Sequence, residues 1–156
     1  NMHGLIKHIV KNIGISLLVI ITVFISTNAN SEQSPEDIIK NRQAIFSKNY
    51  NTAKRVQSLS SNGDFDEAKK LMLEMSENYK TLKEMFPDNT KEGFNTEVLP
   101  LVWEEKDKFN SLMEKASNDM VELASVIESA DNIRGTLKKL MWGNCKACHS
   151  KYREEH

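Results

Sequence analysis

The amino-acid sequence predicts an all-α protein, an antiparallel four-helix bundle, over residues 31–156. Beyond residue 30, apolar side chains recur at steps of three and four in four separate stretches, and no convincing strand pattern is present. Short connections join the first stretch to the second and the third to the fourth, which favours antiparallel neighbours. A chain of 156 residues provides a core for one such domain.

The first helix is predicted to begin at Ser34 and to end at the turn over residues 60–63. A serine N-cap, Pro35 at the first helical position and acidic residues in the first turn are typical of a helix start. Two polar residues, Arg42 and Asn49, interrupt an otherwise apolar stripe. The predicted inward face consists of Ile38, Arg42, Ile45, Phe46, Asn49, Ala53 and Val56.

The other three helices are predicted in the same way. Asp64 can cap the second helix, which Pro87 ends, and Pro100 fits the first turn of the third helix. Ser129 or Asp131 is predicted to start the fourth helix, which runs to the C-terminus. The inward face of the second helix is predicted to be Phe65, Ala68, Leu71, Met72, Met75, Tyr79, Leu82 and Phe86. That of the third runs from Val98, Leu101 and Val102 through Phe109, Leu112, Met113, Ala116, Met120 and Leu123 to Ile127, and the fourth carries Ile133, Leu137, Leu140 and Met141.

Residues 1–29 are predicted to be a cleaved signal peptide, which would place the protein in the periplasm. Lys7 and Lys11 give a basic start, and the uncharged run over residues 13–25 is shorter than the roughly 20 apolar residues of a membrane-spanning helix. An uncleaved N-terminal anchor is the alternative. Without these two lysines, 19 basic and 22 acidic residues remain, so no basic excess is available to bind nucleic acid.

A five-residue motif in the fourth helix carries the chemistry. Cys145-Lys146-Ala147-Cys148-His149 is a Cys-X-X-Cys-His sequence, the signature of c-type haem attachment. On a helix these three functional residues share one face, so both thiols can reach the vinyl groups at one haem edge while His149 binds the iron. The motif therefore predicts one haem c, attached covalently through two thioether bonds.

Two other interpretations of the cysteines are weaker. A thioredoxin-type pair acts at a helix N-terminus, whereas these cysteines lie well inside a helix and no βαβ pattern surrounds them. A zinc site would need a fourth ligand beyond Cys145, Cys148 and His149, and outside the signal segment the remaining histidine is His156.

The chain resembles the class II cytochromes c, specifically the cytochrome c′ family, from about Pro35 to Arg153. The likeness includes a signal peptide, four helices and the haem motif in the last helix. Further matches are the segments at residues 35–42, 86–87, 100–103 and 149–153.

The resemblance implies roles for individual residues. Arg42 would pair with a haem propionate, and Phe46, which has no donor atom, would cover the distal face and leave the iron five-coordinate and high-spin. Arg153 would approach the proximal face, or else serve as a solvated cation at the helix end. Met72 or Met75 as a sixth ligand is the alternative, although methionines at helical spacing are mostly core residues.

The function implied by these features is that of an electron carrier rather than an enzyme. A periplasmic cytochrome would cycle between Fe(III) and Fe(II) and exchange electrons with partner proteins that the sequence does not identify. The alternative is a protein that binds nitric oxide or carbon monoxide at the open distal site. The resemblance also implies a homodimer.

Overall fold

The computed structural model describes residues 32–155 and confirms the predicted all-α bundle. Two long helices come first, α1 (Pro35–Asn62) and α2 (Phe65–Lys83). The third segment is α3 (Leu101–Glu104) followed by α4 (Lys106–Val126), and the fourth is α5 (Ile133–Leu137), a π turn (Lys138–Trp142) and α6 (Gly143–Tyr152). Helix α2 packs between α1 and α4, and the fourth segment packs against α4 and α1. The predicted signal peptide lies outside the described residues.

Within residues 32–155, no helix combines the length and the apolar character needed to cross a bilayer. The regular structure there is helical, with short 3₁₀ turns at Asp88–Thr90 and Ile127–Ser129. A single isolated antiparallel bridge joins Val98 to Arg153 in the described part of the chain. The main-chain N–H of Leu99 also donates to the carbonyl of Tyr152 at 2.9 Å. These bonds fix the end of the chain to the loop that precedes α3.

Both predicted ends of α1 are confirmed. The Ser34 hydroxyl accepts a hydrogen bond from the main-chain N–H of Asp37 at 3.1 Å, with Pro35 at the first helical position. At the other end, Gly63 has a φ of 81°, in the left-handed region that glycine adopts without strain. Its N–H donates to the carbonyls of Leu59 and Ser60, so the helix stops where the sequence predicts.

The caps of two other helices differ from the prediction. Asp64 occupies the N-cap position of α2, but its side chain makes no capping hydrogen bond. The fourth segment is capped by Asn132 rather than by Ser129 or Asp131, because Ser129 continues the preceding helix as a 3₁₀ turn. The Asn132 amide oxygen accepts from the N–H of Gly135 at 2.9 Å, and a Cβ on Gly135 would lie 2.6 Å from the Asn132 side chain.

The core follows the predicted stripes with one correction. On α1 the buried residue is Ile39, which is fully buried, whereas the predicted Ile38 is partly exposed. Ile39 lies three residues before Arg42 and continues the same stripe, while Ile38 falls to the side of it. Both Met72 and Met75 of α2 are fully buried in the apolar core.

The third segment is interrupted at Glu105, which the sequence does not predict. Its backbone leaves the helical region, with φ −116° and ψ 42°. The Glu105 carboxylate accepts hydrogen bonds from Lys151 at 2.5 Å, Lys108 at 3.1 Å and the Tyr152 hydroxyl at 3.2 Å. These donors, Lys151 first, lower the pKa of Glu105 to about 2. The break in the helix therefore coincides with an anchor for the end of α6.

We expect Glu105 to contribute to acid unfolding between pH 4.5 and pH 2. Because its folded-state pKa is depressed, the carboxylate stabilises the fold above its ordinary pKa of 4.5, and this contribution is lost as the pH falls through about 2. Urea unfolding of Glu105→Gln across this range should show a shallower dependence on pH than the native protein. Glu104→Gln removes the neighbouring exposed carboxylate and serves as the control. If the free energy of unfolding depended on pH in the same way in the native protein and in Glu105→Gln, the depressed pKa of Glu105 would be refuted.

Candidate cofactor site

A cavity of about 660 Å³ brings all the predicted site residues together. This volume lies in the range of pockets that enclose small organic ligands, about 300–1,000 Å³. Helix α1, the segment between α2 and α4, and the fourth segment all contribute walls. The predicted residues that line the cavity are Arg42, Phe46, Cys145, Cys148, His149 and Arg153. Residues separated by more than one hundred positions in the sequence therefore share one site.

The π turn sets the position of the cysteine motif on α6. Gly143 follows the turn directly, and a Cβ there would lie 3.1 Å from the carbonyl oxygen of Lys138, closer than most side chains tolerate. Such turns add a residue to the helical repeat and commonly occur at functional sites. Cys145 and Cys148 are partly buried and His149 is exposed at the cavity edge. The motif thus faces the cavity with its two thiols inward.

The protonation states at the motif suit attachment and ligation rather than dithiol redox chemistry. Burial raises the pKa of Cys145 and raises that of Cys148 to about 11, whereas redox-active cysteines have depressed values. Burial, with the nearby Arg153 cation, lowers the pKa of His149, and Glu97 opposes this effect. This shift favours the neutral imidazole, which is the form that binds metals. The zinc alternative depends on His156, which lies outside the described residues.

Arg42 is 1% exposed and is held by the loop that follows α2. Its Nη1 donates to the Met85 carbonyl at 3.1 Å and to Thr90 Oγ1 at 2.8 Å. Its Nη2 donates to the Thr90 carbonyl and to Thr96 Oγ1, both at 2.9 Å. The guanidinium also lies over the Phe86 ring, 4.5 Å from its centroid. Four of its five N–H groups are satisfied by protein, and the remaining one, on Nε, is buried without a partner.

Phe46 belongs to a group of aromatic side chains that forms one wall of the cavity. Its ring meets Phe86 edge-on at 6.4 Å, and Phe86 in turn packs on Phe109 at 4.7 Å. Phe109 then packs on Tyr152 at 5.4 Å. Trp103 lies against Phe86 at 6.2 Å and donates from Nε1 to its carbonyl. The wall around Phe46 is therefore apolar, and its aromatic rings pack against one another.

Met72 and Met75 do not line the cavity. Both side chains are fully buried in the core on α2. The alternative in which Met72 or Met75 is a sixth ligand would therefore require the core to be repacked.

Arg153 is half-buried beside the motif, and its Nε has no hydrogen-bond partner. The bridge to Val98 holds its backbone, and the N–H of Glu154 donates to the Glu97 carbonyl at 2.9 Å. Arg153 and Glu97 both line the cavity close to His149. The segment before α3 and the chain end thus form one rim of the site.

Sequence reasoning missed several cavity residues. Tyr50 and Trp142 line the cavity and meet edge-on at 6.1 Å, and Trp142 Nε1 donates to Gln57 Oε1 at 2.7 Å. Asn49 also lines the cavity; the sequence marks it as a polar residue in an apolar stripe but indicates no role. For Glu97, in a loop without periodicity, no sequence signal was available.

The residues present fit a large, mostly apolar group that carries anionic substituents. Two thiols and an imidazole line the cavity together with apolar side chains such as Phe46, Phe86 and Phe109. Two arginine Nε–H groups are buried beside this space with no acceptor, which is suited to carboxylates. A helical bundle whose last helix presents Cys-X-X-Cys-His to such a cavity defines a c-type haem protein.

The family model described as cytochrome C′ matches residues 37–153. The chain therefore belongs to the cytochrome c′ family, and the sequence-based prediction of this family is confirmed. The prediction of haem c as the cofactor is confirmed with it, since members of this family bind haem c and the two cysteines of the attachment motif are present.

Individual relatives agree with this assignment. A cytochrome c′ from Rhodopseudomonas palustris is 29% identical over 120 residues, which cover 75% of this chain and 82% of the relative. A cytochrome c-556 from Agrobacterium tumefaciens is 39% identical over 71 residues, covering 44% of this chain and 56% of the relative. The crystal structure of cytochrome c′ from Rubrivivax gelatinosus is similar with a TM-score of 0.66 at 27% identity, covering 78% of this chain and 98% of that one.

Proposed function

We propose that the chain is a periplasmic cytochrome with a five-coordinate, high-spin haem that transfers electrons. The observation that carries this proposal is the composition of the cavity: the motif lies on one wall, and Phe46, which has no donor atom, lies in the aromatic wall. Cys145 and Cys148 would hold the haem through thioether bonds, and His149 would bind its iron. Export rests on the predicted signal peptide over residues 1–29.

When bound, the haem supplies the Fe(III)/Fe(II) couple and an open coordination position. The residues of the chain define the surroundings. Phe46, Phe86 and Phe109 exclude water from one side, and an apolar, shielded environment is one of the factors that set a reduction potential. Arg42 would offer its Nε–H to a propionate while its other donors remain with the loop.

The exposure of the motif also supports electron transfer. Lys146, Ala147 and His149 are exposed, so this turn of α6 lies at the protein surface. A redox partner could therefore approach the cofactor edge without any rearrangement of the bundle. The cation of Lys146 would favour an acidic surface on that partner.

A second candidate function is binding of nitric oxide or carbon monoxide. The observation that favours it is the same wall: no methionine among residues 32–155 lines the cavity, and Phe46 offers bulk without a ligand atom. Small diatomic ligands could then occupy the open position, while Phe46 restricts larger ones. The two functions require the same haem and differ in ligand kinetics.

Absorption spectroscopy of the purified protein tests the five-coordinate proposal. We expect high-spin ferric and ferrous spectra for the native protein. We expect Phe46→Met, which places a thioether in the same wall, to convert the ferric protein to a low-spin form with a methionine-to-iron charge-transfer band. A low-spin native spectrum near neutral pH would overturn the proposal.

The second candidate requires a separate measurement. Stopped-flow mixing of the ferrous protein with nitric oxide should give a complex at submicromolar ligand if gas binding is a function. Absence of binding at that concentration would eliminate this candidate and leave electron transfer. Leu73→Ala, an exposed change on α2 away from the cavity lining, provides a matched control for both measurements.

A further inference from the structure

Asn49 places a buried amide group in the wall of the cavity. It lies on α1, three residues after Phe46, and is 3% exposed. It lines the same cavity as Phe46 and the two motif cysteines. A buried amide in such a wall requires hydrogen-bond partners for both its oxygen and its nitrogen.

The Asn49 amide has a partner at one end. Its Oδ1 accepts a hydrogen bond from Asn78 Nδ2, on α2, at 2.8 Å. This bond orients the amide and leaves Nδ2 as the free end. Nδ2 is buried and has no hydrogen-bond partner among residues 32–155. A buried donor without an acceptor is strongly unfavourable, so such an atom indicates a ligand that completes the site.

The Tyr79 hydroxyl is a neighbouring acceptor within the protein. Asn49 acts to lower the pKa of Tyr79, although burial has the larger effect and raises it. The Asn49 side chain lies near this hydroxyl and acts on it as a hydrogen-bond donor, but the contact is too poorly formed to satisfy Nδ2. Asn49 lines the cavity, whereas Tyr79 does not. The amide is thus available to a molecule inside the cavity.

We propose that Asn49 Nδ2 donates a hydrogen bond to a small ligand bound beside Phe46, and so favours ligands whose outer atom is an acceptor. The proposal rests on the proposed function, since it requires an open coordination position on this side. Phe46 restricts the size of the ligand, and Asn49 recognises its polarity. Asn78 is a positioning residue because it acts through Asn49.

Infrared spectroscopy of the haem-loaded protein with carbon monoxide tests the proposal. A hydrogen bond to bound carbon monoxide lowers its C–O stretching frequency. Asn49→Asp retains an acceptor for Asn78 but lacks the Nδ2 donor, and we expect it to shift the band to higher frequency. Asn49→Leu removes the amide altogether and should shift the band in the same direction. An unchanged band in whichever of these variants folds would overturn the proposal.

Two further variants separate the proposal from its rivals. Ser47→Ala changes another polar cavity residue of α1 that is exposed, and it should leave the band unchanged. Tyr79→Phe should also leave it unchanged; a shift to lower frequency would mean that Tyr79 holds the amide in the native protein, which would refute the proposal. If the native protein forms no carbon monoxide complex, no band appears, and the five-coordinate proposal fails as well.

Discussion

Replacing both Cys145 and Cys148 with alanine is expected to abolish covalent haem attachment completely. These are the two cysteines of the chain, so the variant has no thiol left to form a thioether. Both thiols face the cavity in the native structure. The measurement is haem retained by the polypeptide after acid–acetone extraction, followed on denaturing gels by haem staining.

The control for this prediction is Ser150→Ala, an exposed change on the same helix next to the motif. It should retain haem at the native level. The far-ultraviolet circular dichroism of the double variant shows whether the bundle still forms, which separates loss of attachment from loss of folding. Covalent haem in the double variant would contradict the assignment of the motif.

Arg42→Met is expected to reduce the free energy of unfolding by about 3–5 kcal/mol, because it leaves several buried acceptors without a donor. Met85, Thr90 and Thr96 would all lose hydrogen bonds, and the Phe86 ring would lose the guanidinium that lies over it. The result should be a loosened loop after α2 as well as a weaker cavity wall. Urea unfolding at neutral pH measures the change.

Two further variants, each with a smaller expected loss of stability, test the Arg42 prediction. Arg42→Lys keeps the positive charge but offers fewer donors, so we expect an intermediate loss of stability. Thr90→Val removes one side-chain acceptor while Arg42 remains, and it should cost about 1 kcal/mol. If Arg42→Met were as stable as the native protein, the loop contacts would not be the main role of this arginine.

Much of the fold is predictable because it is encoded locally. Ser34 and Pro35 start α1, and Gly63 ends it, through short-range backbone chemistry that any helix of this kind would use. The Cys-X-X-Cys-His spacing likewise places its side chains on one helical face without reference to the rest of the chain. These features need no knowledge of tertiary contacts.

The interruptions of the helices are set by tertiary contacts instead. Glu105 breaks the third segment where donors from α6, forty-six and forty-seven positions later, converge on its carboxylate. The π turn at Lys138–Trp142 is likewise invisible in the apolar periodicity, which continues through it. The apolar periodicity of a sequence predicts which face of a helix is buried. It does not predict where contacts with a distant segment interrupt the helix.

The polar residues of the α1 stripe show the same difference between what is encoded locally and what depends on tertiary contacts. The sequence marks Arg42 and Asn49 as exceptions, and the resemblance to a family suggests a partner for the arginine alone. Their hydrogen bonds depend on Thr90, Thr96 and Asn78, which lie outside α1. The residues that need an explanation could therefore be identified from the sequence, whereas their partners could not.

The bonds between the chain end and the loop before α3 imply an order of assembly. The cavity is closed on one side by Val98 and Arg153, so its last wall forms only when the final residues dock. Contacts between such distant segments are formed late in folding because of the entropy of closing the intervening loop. A cofactor as large as haem would therefore meet its two thiols most readily on a chain whose C-terminal helix has not yet docked.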